Sequence, residues 1–126
     1  MVLGEQLDIL EVGVRLFCDI LIGELILKML VSVDLCLLPL GAGVSLSPYI
    51  AECKKIIESK GLDYELGPNG TAIEGEWEKV FDCVKACHEV VHSLGVNRIY
   101  STLKINTRTD RNQSFREKVE SVHSVS

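Results

Sequence analysis

Residues 63–77, Asp63-Tyr64-Glu65-Leu66-Gly67-Pro68-Asn69-Gly70-Thr71-Ala72-Ile73-Glu74-Gly75-Glu76-Trp77, decide the fold. Gly67-Pro68-Asn69-Gly70 sets four turn formers between two short runs of strand character, Asp63 to Leu66 and Thr71 to Glu74, which predicts a tight hairpin. Gly75 then begins a helix, with Glu76 and Glu78 in the first turn, where the helix dipole favours acids. Trp77, Val80, Phe81, Val84, Cys87, His88 and Val91 supply its apolar stripe, and Gly95 closes it.

On the N-terminal side of this ββα unit, Leu30 to Leu38 is an apolar run bounded by Pro39 and Gly41 and reads as a strand. Gly41 to Ser47 is a loop. Ser47 as N-cap and Pro48 at the first helical position open a helix. Its apolar face is Tyr49, Ile50, Cys53, Ile56 and Ile57, and Gly61 stops it. On the C-terminal side, Arg98 to Asn106 alternates Ile99, Leu103 and Ile105 with Arg98, Tyr100, Thr102 and Lys104, the period of a half-buried strand. A polar loop and a short amphipathic helix around Phe115, Val119 and Val122 follow.

From residue 29 the order is therefore β-α-β-β-α-β and a final helix. This is the split βαβ pattern of the ferredoxin-like α+β fold, an antiparallel sheet with both helices on one face. Ile99, Leu103 and Ile105 face the helices; Thr102, Lys104 and Asn106 face the open side. On the first strand Val31, Val33, Leu35 and Leu37 alternate with Ser32, Asp34, Cys36 and Leu38. An open face of such mixed polarity calls for water, a ligand or another subunit.

The 126 residues make one domain, 29–126, preceded by an extension, 1–28. In the extension Asp8, Glu11, Arg15 and Asp19 recur at spacings of three and four, the stripe of an amphipathic helix packed on the domain or on a partner. Asp19 and Glu24 interrupt any membrane-length apolar run, and Glu5, Asp8 and Glu11 stand where a signal peptide needs positive charge. Net charge is −5: −3 over 1–28, −5 over 29–97 and +3 over 98–126. That acidic body speaks against nucleic-acid binding, which needs a basic face. Five cysteines (Cys18, Cys36, Cys53, Cys83, Cys87) without scaffold spacing fit buried thiols in a reducing cytoplasm.

His88-Glu89-Val90-Val91-His92 is a literal H-E-x-x-H on the second helix, a spacing that lets two histidines reach one zinc with a glutamate as base. Gly95 continues the metzincin pattern, but Arg98 stands where a third histidine is needed and cannot ligate zinc. A histidine packed on the apolar stripe is the competing account, and it leaves no metal site. Gly41-Ala42-Gly43 hints at a dinucleotide loop, yet Leu46 takes the third glycine position and the order is not a Rossmann unit. Ser45 and Ser47 beside a helix N-terminus could hold a polar ligand edge. Glu74 and Glu76 read equally as ligand carboxylates or as one solvated and one helix-starting acid.

Leu37-Leu38-Pro39-Leu40-Gly41, Ser45-Leu46-Ser47-Pro48-Tyr49-Ile50-Ala51, Tyr64 to Thr71, Ile73 to Trp77 and the Lys104-to-Asp110 segment with Arg108 together resemble the signatures of the small thiamine-binding protein family. The resemblance covers about residues 29–122 in unbroken order. It departs from the family at Asn69, where methionine is common, and over residues 1–28, which have no counterpart. It implies a ferredoxin-like fold in a homo-oligomer, usually a tetramer, with thiamine or its hydroxymethylpyrimidine part as ligand and no established catalytic activity. An oligomeric carrier or sensor without cofactor is the expected function; a small zinc-dependent hydrolase using His88, Glu89 and His92, or a purely structural or interaction oligomer whose ligand is incidental, is the alternative. Thiamine's thiazolium charge suits Glu74 or Asp34, and its aminopyrimidine suits Thr71, Ser45, Ser47 or Asn106.

Overall fold

The computed structural model describes Val14 and residues 29–126. The helix expected within residues 1–28 lies outside the described residues, Val14 excepted. The chain runs β1 (Leu30–Leu40), α1 (Ser47–Ser59), β2 (Asp63–Leu66), β3 (Thr71–Glu76), α2 (Trp77–Ser93), β4 (Arg98–Asn106) and α3 (Phe115–His123). The strands form one antiparallel sheet in the order β2-β3-β1-β4. With α1 and α2 packed on one face, this is the ferredoxin-like arrangement.

Alternation along β1 decides which face is which. Val31, Val33, Leu35 and Leu37 are all buried and join Ile73 of β3, Cys53 and Ile57 of α1, and Val80, Cys83, Cys87 and Val91 of α2 in one core. Val33 stands opposite Ile73 on one side and Ile105 on the other, and Leu35 opposite Thr71 and Leu103. A slip of one residue would turn this whole apolar set to solvent, so the register is strongly specified. Ser32, Asp34, Cys36 and Leu38 occupy the opposite face, beside Asn106, Lys104, Thr102 and Tyr100 of β4.

Three boundaries move from those the local signals predict. β1 continues through Pro39 to Leu40, because β4 supplies partners as far as Arg98. Proline is tolerated there since β1 at that point has a strand neighbour on the β4 side only. β3 holds Gly75 and Glu76, which pair with Val31 and Leu30, so α2 starts at Trp77. Gly75 also has a packing role: a Cβ there would lie 2.6 Å from Leu62 Cδ2. The N-cap of α1 is Leu46, not Ser47, whose side chain makes no capping bond.

α3 is anchored by its first turn. Ser114 and Glu117 form a reciprocal capping box. Phe115 is buried, and its backbone N–H donates to Glu74 Oε2 at 2.9 Å. Arg116 donates to Asp63 Oδ2 at 2.5 Å and to the Tyr64 carbonyl at 3.1 Å. Val119 and Val122, further along the same stripe, are exposed.

This anchor is pH-dependent. The Arg116 guanidinium beside Asp63 holds its carboxyl below the usual aspartate range. A depressed folded-state pKa contributes above the unfolded value of about 3.9 and is lost as pH falls through the folded value. Glu74 runs the other way: burial pushes its carboxyl up, so its ionisation opposes the folded state and its contribution is lost as pH rises. Lowering the pH from about 6 to about 2 should therefore weaken the Asp63 pair and loosen α3 while the sheet persists. Amide exchange would show α3 deprotected and β1 still protected. Equal α3 protection at both pH values would contradict this.

Candidate functional site

Of the recesses among the described residues, two hold candidate site residues singled out from the sequence. The larger, about 590 Å³, lies between α1 and the β2–β3 hairpin, alongside the far end of β1. Its origin is a length mismatch: β1 pairs with β3 only as far as Leu35 but with β4 as far as Leu40. Among the described residues, Cys36 to Leu38 therefore have no strand partner on the hairpin side, and they line the cleft. Leu35, Leu46, Ile50, Leu66 and Pro68 give it apolar walls. Ser47 at the start of α1, Asn69 in the turn and Thr71 at the start of β3 supply hydrogen-bonding groups, and Lys54 of α1 also lines it, its ammonium 3.6 Å from Glu58 Oε1. A mostly apolar recess with a few placed polar groups is the usual form of a small-molecule site.

The hairpin that closes one side is held by the Gly67 N–H donating to the Gly70 carbonyl at 2.8 Å. Gly70 has no room for a side chain, because a Cβ there would lie 2.6 Å from Asp34 Oδ1. Asp34 thus buttresses the turn from the open face.

The smaller recess, about 390 Å³, opens on the other face beside the 107–114 loop, and Ser32, Glu74, Asn106 and Ser114 reach it. Arg108 shapes that loop, donating twice to Asp110 (2.6 and 2.5 Å) and once to Gln113 Oε1 at 2.9 Å. The six residues singled out from sequence are thus divided. Ser47 and Thr71 meet in the larger cleft, Glu74 and Asn106 in the smaller recess, Asp34 sits behind Gly70, and Ser45 is exposed in the loop before α1. Asn69 and Lys54 were not legible as cleft residues, although Ser47, Ile50 and Lys54 recur at helical spacing, which places them on one stripe of α1.

The H-E-x-x-H histidines are engaged elsewhere. His88 Nε2 lies 2.9 Å from Ser101 Oγ of β4, and burial, then His92, lowers its pKa. His92 Nδ1–H donates to the Val96 carbonyl at 2.7 Å, and Glu89 is exposed. Among the described residues no three His, Cys, Asp or Glu side chains are grouped to hold a metal ion. Cys53, Cys83 and Cys87 are free, buried thiols. Cys53 Sγ and Cys87 Sγ reach each other's carbonyls at 3.9 and 3.8 Å and knit α1 to α2. Hydrogen bonding with Cys53 and Cys83, then burial, pushes the Cys87 thiol up, which keeps it protonated.

Fold and cleft together define a ferredoxin-like domain with an apolar recess at the free edge of its first strand. The chain belongs to the thiamine-binding protein family, whose model matches residues 33–123. UPF0045 protein sll0230 of Synechocystis sp. is 53% identical over 92 residues, covering 73% of this chain and 76% of the relative. Among solved structures, the hypothetical protein MJ1052 of Methanocaldococcus jannaschii superposes with a TM-score of 0.71 at 27% identity, over 75% of this chain and 97% of that one. A Thermotoga maritima protein proposed to act in thiamine biosynthesis or salvage gives 0.63 at 28% identity, over 74% and 98%.

Proposed function

We propose that the protein is a non-catalytic, homo-oligomeric binder of thiamine or its hydroxymethylpyrimidine part, serving as carrier or sensor in a reducing cytoplasm, with the larger cleft as its site. One observation carries this reading: three of the five stretches that bear the family resemblance, through Leu37-Leu38, Leu46-Ser47 and Gly67 to Thr71, converge on that cleft, against two, through Glu74-Gly75 and Asn106 to Arg108, on the smaller recess. The chemistry supports it. An aminopyrimidine offers adjacent donors and acceptors, as a strand does, and the free edge of β1 at Cys36–Leu38 carries the same alternating groups. Thr71 and Ser47 hydroxyls can complete the set, and the apolar walls match the ring faces. The hydrogen-bonded positions of His88 and His92 favour a structural role for that pair over a zinc hydrolase. Assembly is supported by Leu38, Leu40 and Tyr100, all exposed on the open face. Among the described residues no helix is long and apolar enough to cross a membrane.

Calorimetric titration with thiamine and with hydroxymethylpyrimidine tests the ligand, and sedimentation of the same sample tests the assembly. Saturable binding by a species several times the 13.9 kDa chain is expected. No heat with either ligand at millimolar concentration would overturn the ligand, and a lone 13.9 kDa species the oligomer.

A further inference from the structure

The charge inventory of the cleft singles out one kind of ligand within the class proposed above. Lys54 is the only charged side chain among the described residues that line it, and no carboxylate does so. The acids on the flanking elements lie outside the lining. Asp34 lies behind the hairpin against Gly70 on the open face. Glu52 pairs with Lys55 at 3.0 Å, and Glu65 lies 3.6 Å from Arg116. Glu58 accepts the Tyr64 hydroxyl at 2.5 Å, and that bond holds its carboxyl below the usual range. Its pairing with Lys54 is longer, 3.6 Å, between side chains that are each half exposed. Such a pair is weak in water, so the flexible lysine is free to turn to a stronger anion. The expected partner of the thiazolium charge, Glu74, lines the other recess and accepts the Phe115 N–H.

We infer that the cleft selects a neutral aminopyrimidine bearing an anionic arm, such as the phosphate monoester of hydroxymethylpyrimidine, with Lys54 as the specificity-determining residue. This rests on the cleft being the pyrimidine site. A cation beside Lys54 meets a like charge offset only by the half-exposed Glu58 pair, whereas a phosphoryl group gains a charge-assisted hydrogen bond. Ser47 lies on the same stripe of α1 as Lys54 and offers a hydroxyl.

The experiment is a titration of the full chain with four probes: hydroxymethylpyrimidine, its phosphate monoester, thiamine and inorganic phosphate. The phosphate ester should bind about tenfold more tightly than the free pyrimidine, and thiamine more weakly than either. Inorganic phosphate alone should bind far more weakly than the ester. At about 1 M salt, where screening acts within ~3 Å, the advantage of the ester should shrink towards unity. Lys54→Gln should abolish that advantage, so that the ester binds no more tightly than the free pyrimidine to the same variant, while Lys54→Arg should retain it; the exposed position of Lys54 lets both variants fold. An ester no tighter than the free pyrimidine, or thiamine tighter than both, would overturn the inference with the pyrimidine site intact. No binding of the free pyrimidine would remove the site itself and this inference with it.

Discussion

Ile73→Ala should destabilise the domain by about 2–5 kcal/mol, the range for removing a large aliphatic side chain from a packed core. Ile73 is fully buried, in the strand between β1 and β2, opposite Val33 on one side and Tyr64 on the other. It packs in the core between the sheet and the two helices, so little can collapse into the space it vacates. Ile105→Ala, on the same face but in the edge strand and half exposed, should cost well under half as much. Urea unfolding of the two variants checks the register directly. Equal losses, or a larger loss at Ile105, would mean that β3 does not sit where the pairing puts it.

Thr71→Val should lower pyrimidine affinity about 5- to 150-fold, because a polar ligand group left unpaired in an apolar recess costs roughly 1–3 kcal/mol. Valine keeps the shape and the strand preference of threonine, so the fold should persist. Glu74→Gln is the matched control. It loosens the acceptor that holds the Phe115 N–H, lies in the other recess, and should leave affinity unchanged. Calorimetry on the two variants separates the recesses. A larger loss at Glu74 than at Thr71 would move the site to the open face.

Much of this architecture is visible in local sequence, and what is not has identifiable causes. Gly67-Pro68-Asn69-Gly70 marks the hairpin because turn chemistry acts within four residues. The alternation of Val31, Val33, Leu35 and Leu37 marks the buried face because the strand period is two. The helix start at Trp77 was not legible, since Gly75 and Glu76 remain in β3 only because Val31 and Leu30 lie opposite them. The cleft was hidden for the same reason. It exists because β1 outruns β3 after Leu35, a property of the pairing and not of either strand alone.

The site residues divide along the same line. Ser47 and Thr71 carry polar groups beside turn signals and could be singled out, but only the packing of α1 over the hairpin brings them together. Glu74 was expected as a ligand carboxylate from its neighbours in sequence. In the structure its carboxylate accepts a hydrogen bond from a residue 41 positions away. Nothing local in the sequence distinguishes Lys54, and its place in the cleft follows from which stripe of α1 faces the hairpin.

The most direct test of the cleft as the binding site is the map of backbone amide chemical shifts on titration with hydroxymethylpyrimidine. The account predicts the largest changes at Cys36 to Leu38, Ser47 and Asn69 to Thr71, with Ser32, Asn106 and Ser114 nearly still. The reverse pattern, with the shifts centred on Ser32, Asn106 and Ser114, would contradict it.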